Sequence, residues 1–262
     1  MEAETVPLVL FGPAVACAAR GPWLHTNAPA AHGMQPPQPR DHRNHAKEHK
    51  EGEEPEKMGP RKVKAVLFDM FGVIARLQSP ESRAVLERTA GAEPDRFWEA
   101  YWSRRAPYDR GDVTGPAYWQ GVCAQLDVPL DDRQTEELIA ADLASWSEVD
   151  QRSVDLLGVL ADRGTVLGLL SNIPEELAAR YEATQPWLDR FAVVGLSCRI
   201  GSVKPEPAAY RWCVRELGLP AEEILFVDDR AENVAAARQL GLQGHVFTSH
   251  EALAAALEAG LE

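Results

Sequence analysis

Four places in the chain set polar or charged residues close behind short apolar runs. Asp69 follows Ala65-Val66-Leu67-Phe68 and leads into Met70-Phe71-Gly72-Val73; Ser171 and Asn172 follow Leu169-Leu170; Asp228 and Asp229 follow Leu225-Phe226-Val227. Lys204, within Gly201-Ser202-Val203-Lys204-Pro205, comes shortly after the run ending at Leu196. Carboxylates such as Asp69 and Asp229 are hard oxygen ligands that suit Mg²⁺, which keeps several waters alongside a substrate phosphate. A lysine charge with hydroxyl and amide donors can hold the phosphate oxygens. An aspartate beside the metal can also act as nucleophile, dividing one difficult displacement into two steps through an aspartyl-phosphate. Each residue taken singly has a plainer use: Asp69, Ser171 or Asn172 as a helix cap, Lys204 as a solvated charge. Four such positions in succession are harder to assign to capping.

The elements that would gather them are short buried strands. Apolar runs at Val63–Phe68, Thr165–Leu170, Ala192–Leu196, Ile224–Val227 and, more weakly, His245–Phe247 alternate with helical stretches such as Pro207–Leu217 and Ala231–Leu240, the second closed by Gly241. That alternation predicts an α/β fold with a Rossmann-like parallel sheet, in which ligands bind beyond the carboxyl ends of the strands. Between Arg76 and about Asp150 there are only helix-like segments, Glu81–Thr89, Asp95–Arg104 and Asp132–Trp146 among them, which reads as a helical cap inserted after the first strand. The expected organisation is a disordered extension over 1–60, an α/β core over 61–75 and 149–262, and a cap over 76–148; Glu251–Leu261 reads as the last helix. The extension is expected from its Pro/Gln-rich stretch, its charged run Asp41–Lys57 and five of the seven histidines, with nothing beside His42, His45 and His49 to complete a metal site.

Composition sets outer limits. The chain has 262 residues, 45% hydrophobic, and a net charge of −13, a field that opposes binding to a phosphate backbone. No apolar run reaches the roughly 18 to 20 residues of a membrane span. Four scattered cysteines without a CxxC pair suggest neither a zinc site nor a disulfide framework. No nucleic-acid or membrane partner and a cytoplasmic location are the expectations.

The series Phe68-Asp69-Met70-Phe71-Gly72-Val73, Leu170-Ser171-Asn172, Lys204-Pro205-Glu206-Pro207 and Val227-Asp228-Asp229-Arg230-Ala231-Glu232-Asn233 resembles the four motifs of the haloacid dehalogenase-like (HAD) hydrolases. The helical insertion, with Tyr108-Asp109-Arg110-Gly111-Asp112-Val113 and Tyr118-Trp119, is similar to the small cap of the subgroup containing the phosphatase domain of soluble epoxide hydrolase and bacterial sugar-phosphate phosphatases. The resemblance implies Asp69 as nucleophile, Ser171 and Asn172 as phosphate binders, and Lys204 as the lysine steadying nucleophile and phosphate. It implies Asp229 as metal ligand with Asp69 and the backbone carbonyl of Phe71, and Asp228 and Asn233 in support. The cofactor would be Mg²⁺ and the substrate a small phosphorylated metabolite.

One position departs from the pattern. Family phosphatases usually carry a second aspartate two residues after the nucleophile, to protonate the leaving oxygen, and here that residue is Phe71. Losing general acid-base help costs about 10² to 10⁴ in rate. The substitution favours substrates with good leaving groups, such as sugar-1-phosphates, acyl phosphates or aryl phosphates. Two other readings follow from it: a weak or silent scaffold that binds a phosphorylated ligand or a protein, and a 2-haloacid dehalogenase, which has an aromatic residue at this position but no reason to keep adjacent carboxylates like Asp228 and Asp229. Of the cap's aromatics (Trp98, Tyr101, Trp102, Tyr108, Tyr118, Trp119) only one or two are expected to face the site, with Arg104, Arg105 and Arg110 as candidate contacts for an anionic group.

Overall fold

Ala65–Phe68 (β1) is apolar at every position because it lies in the middle of a parallel sheet and is buried on both faces. The computed structural model describes residues 62–261, so the expected extension over 1–60 lies outside the described residues. β1 is flanked by Val166–Ser171 (β2) and Ile224–Asp228 (β4), with Val193–Leu196 (β3) and Gln243–Val246 (β5) outermost, giving the order β3-β2-β1-β4-β5. All pairings are parallel, and Phe68 stands opposite both Leu169 and Val227. That register brings the carboxyl ends of β2, β1 and β4 level.

Period-two alternation divides β1 between two layers. Val66 and Phe68 pack with Leu157 and Leu160 of Gln151–Asp162 (α6), Leu177 and Tyr181 of Glu175–Thr184 (α7), and Leu253 and Leu257 of His250–Leu261 (α11). Ala65 and Leu67 pack with Tyr210 and Cys213 of Pro207–Leu217 (α9) and Val234 and Ala237 of Ala231–Gln239 (α10). The sheet is therefore the middle of three layers.

Between β1 and α6 the chain forms Pro80–Ala90 (α1), Pro94–Ser103 (α2), Arg105–Arg110 (α3), Gly115–Leu126 (α4) and Asp132–Ser145 (α5). Ser79, Thr114 and Asp131 start three of these by accepting from the amides of Ser82, Ala117 and Gln134. The five helices share a core of their own around Phe97, Tyr101, Tyr118, Trp119 and Leu138. Ser197–Ile200 (α8) follows β3 as a single turn.

Three of the departures from the sequence reading have a clear physical cause. β1 starts at Ala65 because the amides of Val63 and Lys64 bond to Gly260 and Glu223 rather than to a neighbouring strand. β5 starts earlier, at Gln243, and is only partly buried, as an edge strand with one neighbour needs no apolar run. The helix read through Arg104 breaks there: α2 ends at Ser103, Arg104 caps both helices at φ −106° and ψ −2°, and α3 starts at Arg105. Among the described residues no helix is long and apolar enough to cross a membrane.

Candidate active site

Asp69 sits one residue past β1, Ser171 and Asp228 end β2 and β4, and Lys204 comes from the loop between α8 and α9. The level strand ends bring these residues to one crevice. The Lys204 Nζ lies 2.5 Å from Asp69 Oδ1 and 2.8 Å from Asp228 Oδ2, and all three side chains are buried. The Met70 amide also donates to Asp69 Oδ1, at 2.6 Å, which leaves Oδ2 for another partner.

Asp228 is fully committed. Its Oδ1 accepts from the Arg230 amide at 2.8 Å and from Asn233 Nδ2 at 3.0 Å, and its Oδ2 accepts from Lys204 and again from Asn233. Asn233 thus holds Asp228, which holds Lys204. The neighbouring Asp229 is half-buried and packs against Gly72; a Cβ at that glycine would overlap the Asp229 carboxylate, and its φ of +88° suits glycine alone. Ligand oxygens of Asp69, Asp228 and Asp229 all lie within 4.8 Å of one another.

Three carboxylates against one ammonium leave the cluster short of positive charge. Burial pushes the Asp69 carboxyl up to about 8, with Lys204 opposing and Asp228 reinforcing the rise. Burial and then Asp228 raise Asp229 as well. Lys204 is held above its ordinary value, since the pull of Asp69 and Asp228 outweighs the burial that would lower it.

Ser171 and Asn172 are not used as helix caps; α7 starts behind Pro174 without a side-chain cap. Ser171 is fully buried and its hydroxyl has no hydrogen-bond partner. Asn172 is more engaged than the sequence implied: its Oδ1 accepts from the Lys204 amide at 2.7 Å and its Nδ2 donates to the Lys204 carbonyl at 2.9 Å. It fixes the lysine's backbone, and its second Nδ2 hydrogen is what remains for a ligand.

Above Asp69 opens a cavity of about 550 Å³. Phe71 and Trp146 meet on one wall, ring centroids 5.0 Å apart and edge to face, with Trp102 edge-on to Trp146 at 6.3 Å. Of the six cap aromatics named from sequence only Trp102 lines the cavity; the other five are buried in the cap's own core. Of the three arginines only Arg105 does. Arg104 donates to Gln125, and Arg110 pairs with Asp112 and with Glu206 at 2.5 Å, tying α3 to the loop before α9.

Arg105 is closed off by its surroundings. Its Nε donates to Asp109 Oδ1 at 2.7 Å, and its Nη1 donates to the Tyr101 hydroxyl at 2.5 Å and to Asp142 Oδ2 at 3.2 Å. Tyr101 donates to Asp142 Oδ1 and accepts from Trp146 Nε1. The same stretch docks the cap: the Ser197 hydroxyl donates to the Asp109 carbonyl, and Gly111, at φ +83°, lies so close to the Cys198 carbonyl that a Cβ would fall 2.6 Å from its oxygen. Trp146 and Leu77 were not singled out as cavity residues. Both stand where the chain passes between cap and sheet, a position that only the pairing of Ala75 with Val149 reveals.

Residues 63–241 match the haloacid dehalogenase-like hydrolase family. Among curated proteins, the sesquiterpene phosphatase astK of Aspergillus oryzae is 26% identical over 202 residues, covering 74% of this chain and 94% of its own. A phosphoglycolate phosphatase of Rhodospirillum rubrum is 28% identical over 186 residues, covering 68% and 77%. The drimenol cyclase drtB of Aspergillus calidoustus is 22% identical over 186 residues, 71% of this chain, and the match spans only 34% of its length. Among solved structures, a HAD family enzyme of Bacteroides thetaiotaomicron in complex with magnesium and inorganic phosphate superposes with a TM-score of 0.60 at 20% identity over 72% of this chain and 96% of that one. An L-2-haloacid dehalogenase of Xanthobacter autotrophicus gives 0.54 at 20% identity, over 76% and 83%. These structural likenesses establish the fold.

Proposed function

The chain belongs to the haloacid dehalogenase-like hydrolases, and from that premise we propose that it is a Mg²⁺-dependent phosphatase of a small phosphorylated metabolite, with Asp69 as nucleophile. The observation that carries this reading is the set of unfilled valences at the strand ends: Asp69 keeps one oxygen free of Lys204 and Met70, Asp229 adds a second carboxylate, and the Ser171 hydroxyl is buried without a partner. The donor set fits the metal, since the cluster is all oxygen and lacks positive charge. Asp69, Asp229 and the carbonyl of Phe71 would hold it, with Asp228 and Asn233 in support. Bound Mg²⁺ would neutralise the phosphoryl oxygens and draw charge from phosphorus.

The rest falls to the chain. Lys204, fixed by Asn172 and Asp228, keeps the Asp69 carboxylate oriented and offers its charge to the transferring group, while Ser171 and the remaining Asn172 hydrogen satisfy phosphate oxygens. Phe71 supplies no proton, so the leaving oxygen departs largely unaided. The phosphatase names of the fungal and Rhodospirillum relatives agree with this reaction type. Residues 76–148 act as the cap that shapes the entrance.

Phosphate release from a panel of esters and acyl phosphates, with Mg²⁺ and with EDTA, tests the reading. Release should require the metal and should fall by about 10⁴-fold or more in Asp69→Asn, the scale of losing a nucleophile. Halide release from 2-chloropropionate in EDTA would replace it with a dehalogenase. Inactivity across the panel would leave a binding scaffold.

A further inference from the structure

Resting on the phosphatase reading, we infer that the crevice is built for an aryl phosphate: a phosphoryl group on an uncharged aromatic leaving group. Three independent features point there. The first is the wall. Phe71, Trp146 and Trp102 form an edge-to-face series leading from the strand ends to the mouth, where Leu77 is 56% and Trp102 50% exposed. Large apolar side chains left in water at the rim of a cavity are what a flat apolar group would cover, and aromatic pairs prefer these offset and edge-on geometries. A cavity of about 550 Å³ accommodates a phosphate with one or two fused rings.

The second feature is charge. Every cation lining the cavity already has acidic partners: Lys204 has Asp69 and Asp228, Arg105 has Asp109 and Asp142, and Arg230 at the rim has Glu232. A leaving group bearing a carboxylate or a second phosphate would find no unneutralised cation among the described lining residues.

The third is proton supply. In the transfer an Asp69 carboxylate oxygen forms the new bond to phosphorus, the bond from phosphorus to the aryl oxygen breaks with its electron pair on that oxygen, and water protonates the departing aryloxide. A phenol titrates near 10, as tyrosine does, against roughly 16 for water, so an aryloxide can leave without the acid that Phe71 lacks.

The test compares kcat/KM for 1-naphthyl phosphate, hexyl phosphate, phosphoglycolate and acetyl phosphate, the last having a good leaving group without an apolar ring. The aryl ester should exceed acetyl phosphate by about tenfold and phosphoglycolate by about a hundredfold, and Trp102→Ala should cut the naphthyl-to-acetyl ratio by about tenfold, the scale of one aromatic contact. Trp102 is half exposed, so this variant is expected to fold. Asp69-dependent turnover of acetyl phosphate with no aryl preference would overturn this inference and leave the phosphatase reading standing. If no substrate turns over, quenching of tryptophan fluorescence by benzylphosphonate against 3-phosphonopropionate decides. A tighter benzyl ligand would uphold the aryl site and end the phosphatase reading, while equal or weaker binding would end both.

Discussion

The strand-end cluster and the cap cluster are built alike. In each, one buried cation lies between two buried carboxylates: Lys204 between Asp69 and Asp228, Arg105 between Asp109 and Asp142. They differ in what is left over. Around Arg105 the Tyr101 hydroxyl takes and gives a hydrogen bond and Trp146 closes the group from the other side, so the polar atoms facing the cation are engaged with one another. At the strand ends a third carboxylate, Asp229, and an unbonded Ser171 hydroxyl remain, and the cluster is short of positive charge. Buried charge alone therefore does not mark a site. Unfilled valence beside a cavity does.

The largest effect that separates them is on stability. Arg105→Ala should cost about 3 to 5 kcal/mol, because it leaves two carboxylates buried without their counter-ion. Adding Asp109→Asn and Asp142→Asn to it should recover most of that loss, since a neutral set has no uncompensated charge to bury. Urea denaturation measures both. If Arg105→Ala unfolds at the wild-type midpoint, the cap cluster does not depend on its cation and Arg105 becomes available to a substrate anion.

Next in size is Phe71→Asp, which adds a proton donor to the open cluster. On hexyl phosphate kcat should rise by about 10²-fold, the low end for a general acid. The low end is expected because the new carboxyl must stand where a ring packed edge-on against Trp146 and Tyr181. Aryl esters, which need the acid least and lose part of their wall, should gain nothing. Equal gains on both kinds of ester would show that the leaving group does not decide how the missing acid matters.

The difference between the clusters also explains how much was legible in the sequence. Asp69, Ser171 and Asp229 could be read because a parallel sheet converts strand ends into neighbours, so a polar residue behind an apolar run carries its location with it, whereas Lys204, on the loop between α8 and α9, was legible from its place in Lys204-Pro205-Glu206-Pro207. The cap offers no such rule. Arg104 and Arg105 are adjacent, yet the break between α2 and α3 sends one to Gln125 and the other to the cavity. Asp142 meets Arg105 from 37 residues away, and only the packing of five helices fixes that meeting. Asn172 was legible as a candidate site residue, but its bond to the Lys204 backbone was not, because it depends on the path of a loop. The strands were nearly right where they lie inside the sheet and shifted at β5, where an edge strand relaxes the apolar pattern.

The smallest effect tests the charge shortage directly. The folded-state value of Asp69, about 8, lies above the ordinary 3.8, so the folded protein holds that proton where the unfolded chain has lost it. The contribution to stability is therefore complete below about pH 4 and disappears as pH rises through about 8. In EDTA the melting temperature should fall between pH 5 and pH 9. Asp69→Asn removes the titration and relieves repulsion from Asp228 and Asp229, so it should flatten most of the fall and raise stability at pH 9 by about 1 kcal/mol, a shift of roughly 2 to 4 °C. Asp229, raised in the same sense, should keep a residual slope. Mg²⁺ should restore the wild type most strongly at high pH, where the carboxylates are ionised, and do less for the variant. A melting temperature that rises with pH in EDTA, or a variant as steep as the wild type, would mean that Lys204 already balances the strand-end cluster, and the contrast with Arg105 would disappear.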